Sequence, residues 1–87
     1  MPKAHIPHPL RKLTGGKAVV EVKASTVSEA IDALEAEFPG IRDRLCDGDR
    51  IRPGLTVAVG STVTDAGLHR PLAENDELHF LQAIGGG

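Results

Sequence analysis

A single strongly patterned helix, with strand-like segments before and after it, most constrains how this chain folds. Residues 26–29 (Thr-Val-Ser-Glu) match a capping box, in which the hydroxyl and the carboxylate pair with free backbone amides of the first turn. Apolar side chains then recur at helical spacing, at Val27, Ala30, Ile31, Leu34 and Phe38. Pro39-Gly40 ends the pattern, and the acidic residues between the apolar positions indicate a solvated face.

The segment before the helix is typical of an N-terminal hairpin. Residues 6–10 are apolar but interrupted by Pro7 and Pro9, which predicts only a short strand or an edge segment. Residues 14–17 (Thr-Gly-Gly-Lys) indicate a turn, because glycine reaches positive φ without steric cost. Residues 18–23 are rich in valine and predict the second strand, although the connection can be longer than two residues.

The segment after the helix predicts at least two more strands. Residues 41–45 can form one further helical turn, and residues 46–54 are a charged loop. Residues 55–59 and 77–81 have the composition and alternation of strands. One mixed sheet with the helix packed on a single face buries every apolar stripe, which is the α+β architecture called the β-grasp. The last strand is expected in the centre, beside the first.

Composition limits the classes of function. The 87 residues make one domain with one core, and the net charge of −2 gives no case for nucleic acid as a partner. Trp and Tyr are absent, so bases would have few aromatic rings on which to stack. Cys46 is the only cysteine, and no apolar run has the length of a signal peptide or a bilayer span. We therefore expect a cytoplasmic protein without a membrane partner.

The usual constellations of catalysis are missing from the sequence. The four histidines do not have the short spacings of a zinc motif, so we expect no metal site. Cys46 has neither a base nor a clear positive field to activate it, and the Gly15-Gly16 turn lacks the spacing of a phosphate-binding loop. We expect a carrier or interaction module rather than an enzyme.

The unusual segment is the C-terminal tail, residues 82–87, which follows the domain of residues 1–81. It ends in Gly85-Gly86-Gly87 and has no ionisable side chain. We expect it to be flexible, as domain termini often are. Six extended residues reach at most about 20 Å, enough to carry a terminal carboxylate into a partner's active site. Glycine has no Cβ, so such a tail can pass through a narrow channel.

The order of elements, the Asn75-Asp76-Glu77-Leu78 segment and the glycine tail resemble the ubiquitin-like sulfur carriers. That family includes the small subunit of molybdopterin synthase and the carrier of the thiamine pathway. The N-terminal Ile-Pro-His-Pro-Leu-Arg stretch, residues 6–11, is most similar to the carrier of actinobacterial cysteine synthesis. The family's terminal glycine pair matches Gly86 and Gly87. Gly85 stands where Ala or Ser is common.

The resemblance implies a mechanism in which partners perform the catalysis. An adenylating, E1-like enzyme would use ATP and Mg²⁺ to join the carboxylate of Gly87 to AMP. Sulfide would displace AMP and leave a thiocarboxylate directly, or a persulfide would displace AMP and a thiol would then cleave the resulting S–S bond to leave the same thiocarboxylate. A sulfur-accepting synthase would then take the sulfur for a small molecule. The chain itself would hold no permanent cofactor.

Two alternatives of function stay open beside cysteine synthesis. One is the small subunit of molybdopterin synthase, and the other is a protein modifier conjugated to lysines through Gly87. In each case partner binding is expected on the exposed face of the last strand and along the tail. If Leu78 and Phe80 point inward, strand alternation places His79 and Leu81 on the exposed face. The predicted partner-binding residues are His79, Leu81, Ile84 and Gly85.

Overall fold

The computed structural model describes residues 1–63 and 67–82. Its strands, in chain order, are β1 (Lys3–His5), β2 (Val19–Glu21), β3 (Cys46–Asp47), β4 (Arg50–Ile51), β5 (Leu55–Val59), β6 (Thr62–Val63) and β7 (Glu77–Gln82). Its helices are α1 (Val27–Glu37) and α2 (Ile41–Leu45), together with 3₁₀ helices at His8–Thr14 and Gly67–His69.

The main sheet has five strands in the order β2-β1-β7-β5-β6. β1 pairs antiparallel to β2 and parallel to β7, and β7 pairs antiparallel to β5. The last strand is therefore central and lies beside the first, as the sequence predicts. β3 and β4 form a separate two-stranded hairpin within the segment predicted to be a loop.

One face of the sheet is buried under α1. Ile31 and Leu34 of the helix are fully buried, and so is Leu78 of β7, with Phe80 6% exposed. These side chains belong to one hydrophobic cluster, and Phe38 is partly buried against it. The predicted helical stripe is confirmed, and α2 extends the same cover because Ile41 also belongs to the cluster.

The capping of α1 differs in one detail from the predicted box. The Thr26 hydroxyl accepts a hydrogen bond from the Glu29 amide at 3.1 Å, as expected. The Glu29 carboxylate accepts from the Ser25 amide at 2.8 Å and the Ser25 hydroxyl at 2.7 Å, one residue earlier than predicted. These bonds lower the pKa of Glu29, the side-chain bond contributing most. Thr26 thus satisfies one amide of the first turn, and Glu29 binds the preceding residue, Ser25, to the start of the helix.

The helical acids also fix the second helix. The Glu35 carboxylate accepts hydrogen bonds from the Arg42 amide at 2.9 Å and the Gly40 amide at 3.0 Å. Those two bonds lower the pKa of Glu35, the Arg42 amide contributing most. Asp32 forms an ion pair of 2.8 Å with the Arg42 guanidinium. Part of the predicted solvated face therefore joins α1 to α2.

The first strand lies earlier in the chain than predicted. Residues 6–10 were expected to be extended, but His8–Thr14 is a 3₁₀ helix with Pro9 in its first turn. Proline suits that position, because its fixed φ is helical and its missing N–H would have no partner there. Gly15 and Gly16 follow at φ 68° and 91°, which confirms the predicted glycine turn. The predicted N-terminal hairpin is confirmed by the pairing of β1 with β2, and its connection is long because it includes the 3₁₀ helix.

Candidate functional site

The side chains of β7 alternate between the two faces of the sheet. Leu78 and Phe80 point into the core, whereas His79 is half-buried and Leu81 is 47% exposed on the outer face. The predicted outward positions of His79 and Leu81 are thus confirmed. Gln82 is the last residue of the strand, one residue beyond the predicted domain end.

The strand register places His79 in a row that crosses all five strands. His79 is opposite His5 of β1 on one side and opposite Ala58 of β5 on the other. The complete row, from β2 to β6, is Val19, His5, His79, Ala58 and Val63. Val19 and Val63 are exposed at its two ends. The outer face therefore has an imidazole pair at its centre and apolar side chains at its margins.

Glu77 completes a polar cluster with the two histidines. The His5 Nε2 atom is 2.6 Å from the Glu77 carboxylate, and the His5 and His79 rings stack with centroids 4.2 Å apart. The hydrogen bond from His5 is the main cause that lowers the pKa of Glu77, and the charges of Lys3 and His79 act in the same direction. Glu77 is therefore a carboxylate at neutral pH.

Leu81 lies next to this cluster on the side toward the tail. It is opposite Thr56 of β5, two residues after His79 on the same strand. The remaining predicted site residues, Ile84, Gly85, Gly86 and Gly87, lie outside the described residues, as does most of the predicted flexible tail. The structure thus describes the surface from which the tail continues.

Cys46 and the basic segment around it lie apart from this face. Cys46 is buried in the core cluster, and its burial is the main cause that raises the pKa of its thiol. Arg42 is bonded to Asp32, and the Arg52 guanidinium donates to the Asp43 carbonyl at 3.1 Å. Cys46 thus has the properties of a packed structural thiol.

Sequence reasoning did not identify His5 and Glu77 as site residues. His5 is next to the buried Ala4, and Glu77 is next to the buried Leu78. Strand alternation could therefore have placed both residues on the outer face. Their meeting depends on the pairing of β1 with β7, which joins residues 72 positions apart. Among the described residues, no helix has the length and apolarity needed to cross a membrane.

Solved structures with the same architecture define the class of protein. One chain of the BexX/CysO complex from Amycolatopsis orientalis superimposes with a TM-score of 0.91 at 34% identity, and all of both chains is covered. CysO from Mycobacterium tuberculosis gives 0.88 at 28% identity, covering 97% of this chain and all of that one. The small archaeal modifier protein 1 from Methanosarcina acetivorans gives 0.79 at 18% identity, with 99% and 95% covered, and shows the fold alone. The chain is a ubiquitin-like β-grasp protein.

The sequence comparisons then give the family. The profile of the ThiS family matches residues 4–87. The sulfur carrier protein CysO of Mycobacterium bovis is 36% identical over 89 aligned positions, which cover 94% of each chain. The same identity and coverage hold for the sulfur carrier protein CysO of Mycobacterium tuberculosis. This chain belongs to the ThiS family.

Proposed function

We propose that this chain carries sulfur as a thiocarboxylate on Gly87 and delivers it to a biosynthetic enzyme. The observation that carries the proposal is the family match over residues 4–87, which includes the glycine tail. The likeness to sulfur carrier protein CysO over 94% of the chain supports the same role. We place this chemistry in the cytoplasm, where a reducing environment keeps Cys46 as a free thiol.

The proposed chemistry has two steps at the terminal carboxylate. The partner joins a carboxylate oxygen of Gly87 to the α-phosphorus of ATP, with Mg²⁺, and pyrophosphate leaves. Hydrosulfide then attacks the carbonyl carbon and AMP leaves with the electron pair of the broken C–O bond. The carboxylate must be activated before sulfur can replace its oxygen, because a free carboxylate is a poor acyl donor. Gly86 and Gly87 present the reacting carbon without a Cβ to obstruct it.

The outer face around Leu81 is the proposed docking surface for the activating enzyme. Leu81 is a large apolar side chain, 47% exposed, at the end of the strand that continues into the tail. Five further extended residues reach at most about 17 Å to Gly87. A partner that covers Leu81 and His79 can therefore hold the domain while Gly87 enters its active site. Ile84 and Gly85 would be bound along the way.

Intact mass spectrometry of the protein from its native host tests the function directly. A sulfur carrier should show a species heavier by the difference between one sulfur atom and one oxygen atom. A protein modifier would instead give adducts heavier by a whole target protein. Finding only unmodified chain, in cells that actively synthesise sulfur metabolites, would count against both forms of the chemistry.

The sulfur acceptor is the finer part of the proposal. We propose cysteine synthesis from an activated serine, supported by the likeness to CysO. On the host's synthase, the thiocarboxylate sulfur should displace the leaving group of activated serine and form a heavier adduct, a thioester between Gly87 and cysteine. Hydrolysis of that thioester by water should then release cysteine and return the chain to its unmodified mass. Transfer to a molybdopterin precursor under matched conditions would favour the alternative, the small subunit of molybdopterin synthase.

Leu81→Asp should weaken binding to the activating enzyme about tenfold or more. Burying the exposed half of a leucine contributes roughly 0.8–1.5 kcal/mol, and an unpaired carboxylate at a covered surface adds a desolvation cost. Ile84→Asp should act in the same direction, and affinity can be measured by isothermal titration calorimetry.

Val19→Asp is the matched control for this measurement. Val19 is 44% exposed on the same face, but it lies on β2, two strands from β7 and about 10 Å away. Circular dichroism should show that all three variants are folded. If Leu81→Asp and Val19→Asp bind equally well, recognition lies elsewhere on the chain, such as the segment of residues 42–52.

A further inference from the structure

Three side chains with metal-ligating atoms converge on the outer face of the sheet. They are His5 from β1 and Glu77 and His79 from β7. One ligand atom from each lies within 4.8 Å of the others. Nothing in the proposed sulfur chemistry uses this cluster as a unit, since that chemistry takes place at Gly87.

The backbone holds the three residues in place. His5 and His79 are direct partners in the parallel ladder between β1 and β7, and Glu77 is two residues before His79 on the same face. β7 is the central strand, and β1 is paired on both sides. The Cα positions are therefore set by the sheet, and only side-chain torsions remain to be ordered when a ligand binds.

We propose that His5, Glu77 and His79 form a surface site for one divalent transition-metal ion of the zinc type. Two imidazole nitrogens and one carboxylate oxygen are a set of ligands that Zn²⁺ takes in proteins, whereas Mg²⁺ and Ca²⁺ prefer oxygen alone. Three protein ligands leave an outward position for water or for a side chain of a partner. The proposal is independent of the sulfur chemistry. It departs from the expectation of no metal site, which rested on the absence of short zinc-motif spacings between histidines along the sequence.

The geometry requires small side-chain movements that the surface permits. Bonds of about 2.1 Å at tetrahedral angles place ligand atoms about 3.4 Å apart. The His5 Nε2 and Glu77 Oε1 atoms, now 2.6 Å apart, must separate, and the stacked rings must tilt so that both lone pairs meet one ion. The side chains of His5 and Glu77 are 32% and 52% exposed, so rotation meets little packing resistance.

Some neighbouring charges favour a bound cation and others disfavour it. The Glu77 carboxylate attracts a cation, which must displace the hydrogen bond that Glu77 shares with His5. Lys3 of β1 is paired with Glu77, and its positive charge disfavours a bound cation. Glu21 of β2 is paired with Lys3 on the other side and partly compensates that charge. In the absence of metal, the His5–Glu77 contact is an ordinary cross-strand pair, of the kind that contributes little at a surface.

Zinc titration of the full-length chain tests the site. ZnCl₂ is added with a chromophoric chelator as competitor, so that the dissociation constant and the stoichiometry are both measured. We expect one ion per chain with a dissociation constant in the micromolar range or below. Saturating Zn²⁺ should also raise the thermal midpoint, because the ligand binds the folded state, in which the three side chains are assembled.

Matched variants assign the ion to these residues. His79→Asn and His5→Asn should each weaken Zn²⁺ binding at least about tenfold, as the removal of one of three ligands should. Glu77→Gln keeps the shape of the side chain and removes its charge, and it should weaken binding as well. His69→Asn changes an exposed histidine outside the cluster and should bind as the wild type does.

Two results would overturn the proposal. One is a dissociation constant for Zn²⁺ above the micromolar range, or binding without a defined stoichiometry. The other is an affinity that stays unchanged in His79→Asn and Glu77→Gln, whatever the effect of His69→Asn. The four substituted side chains are exposed or half-buried and lie outside the hydrophobic core, so circular dichroism should show native folds. Should one cluster variant unfold, the other measures the same site.

Discussion

Deleting Gly87 should lower the rate at which the activating enzyme adenylates this chain by about 100-fold or more. The deletion moves the terminal carboxylate back by one residue, about 3.5 Å, and a misplacement of even 1 Å can cost about that factor in rate. Gly86→Ala should also reduce the rate sharply, because its methyl group would crowd a channel that fits glycine. Pyrophosphate release with ATP and Mg²⁺ measures the step.

Ala83→Gly is the control for these tail variants. It changes the tail without adding an atom near the reacting carbon or moving Gly87. This variant should be adenylated at nearly the wild-type rate, and all three proteins should unfold at the same urea concentration. Wild-type rates in the Gly87 deletion would show that the terminal residue is not the site of activation.

Hydrophobic periodicity predicted the parts of the fold that face the core. Leu34 of α1 and Leu78 of β7 are both fully buried, as the helical and strand periods required. The central place of β7 was predictable as well, because its largely apolar sequence ends with no charge that would protect a sheet edge. The outward positions of His79 and Leu81 followed from the same alternation.

The first strand was misplaced because only one of its three residues faces the core. Ala4 is buried, whereas Lys3 is exposed and His5 is half-buried, so the segment has no apolar run. The apolar residues 6–10 led to a strand prediction there instead, although Pro9 fits the first turn of a 3₁₀ helix. The hairpin of β3 and β4 was missed for a related reason, since its strands have two residues each. A strand signal needs a run of about four.

The part of the candidate site that lies on β7 could be predicted from the sequence, but its contact with β1 could not. Alternation identified His79, but its contact with His5 depends on which residues of β1 and β7 face each other. A shift of one residue would place His5 in the core, and the sequence of β1 is too short to exclude such a shift. The tertiary structure supplies this register through Ala4, which is fully buried.

Leu34→Ala should destabilise the domain by about 2–5 kcal/mol. Leu34 is fully buried in the cluster that joins α1 to the sheet, so truncation loses transfer free energy and leaves a cavity. A domain of this size has a total stability of the order of 4–13 kcal/mol, so the loss is a large share. Urea unfolding followed by far-UV circular dichroism measures the change.

The control on the same helix is Glu37→Ala. Glu37 is exposed in the last turn of α1, and its truncation should change the free energy of unfolding by less than about 0.5 kcal/mol. The thermal midpoint of Leu34→Ala should fall by about 4–8 °C for each kcal/mol lost, whereas that of Glu37→Ala should stay close to wild type. If Leu34→Ala and Glu37→Ala unfold at the same urea concentration, α1 does not pack against the sheet through Leu34. The buried face of the helix would then have to be assigned again.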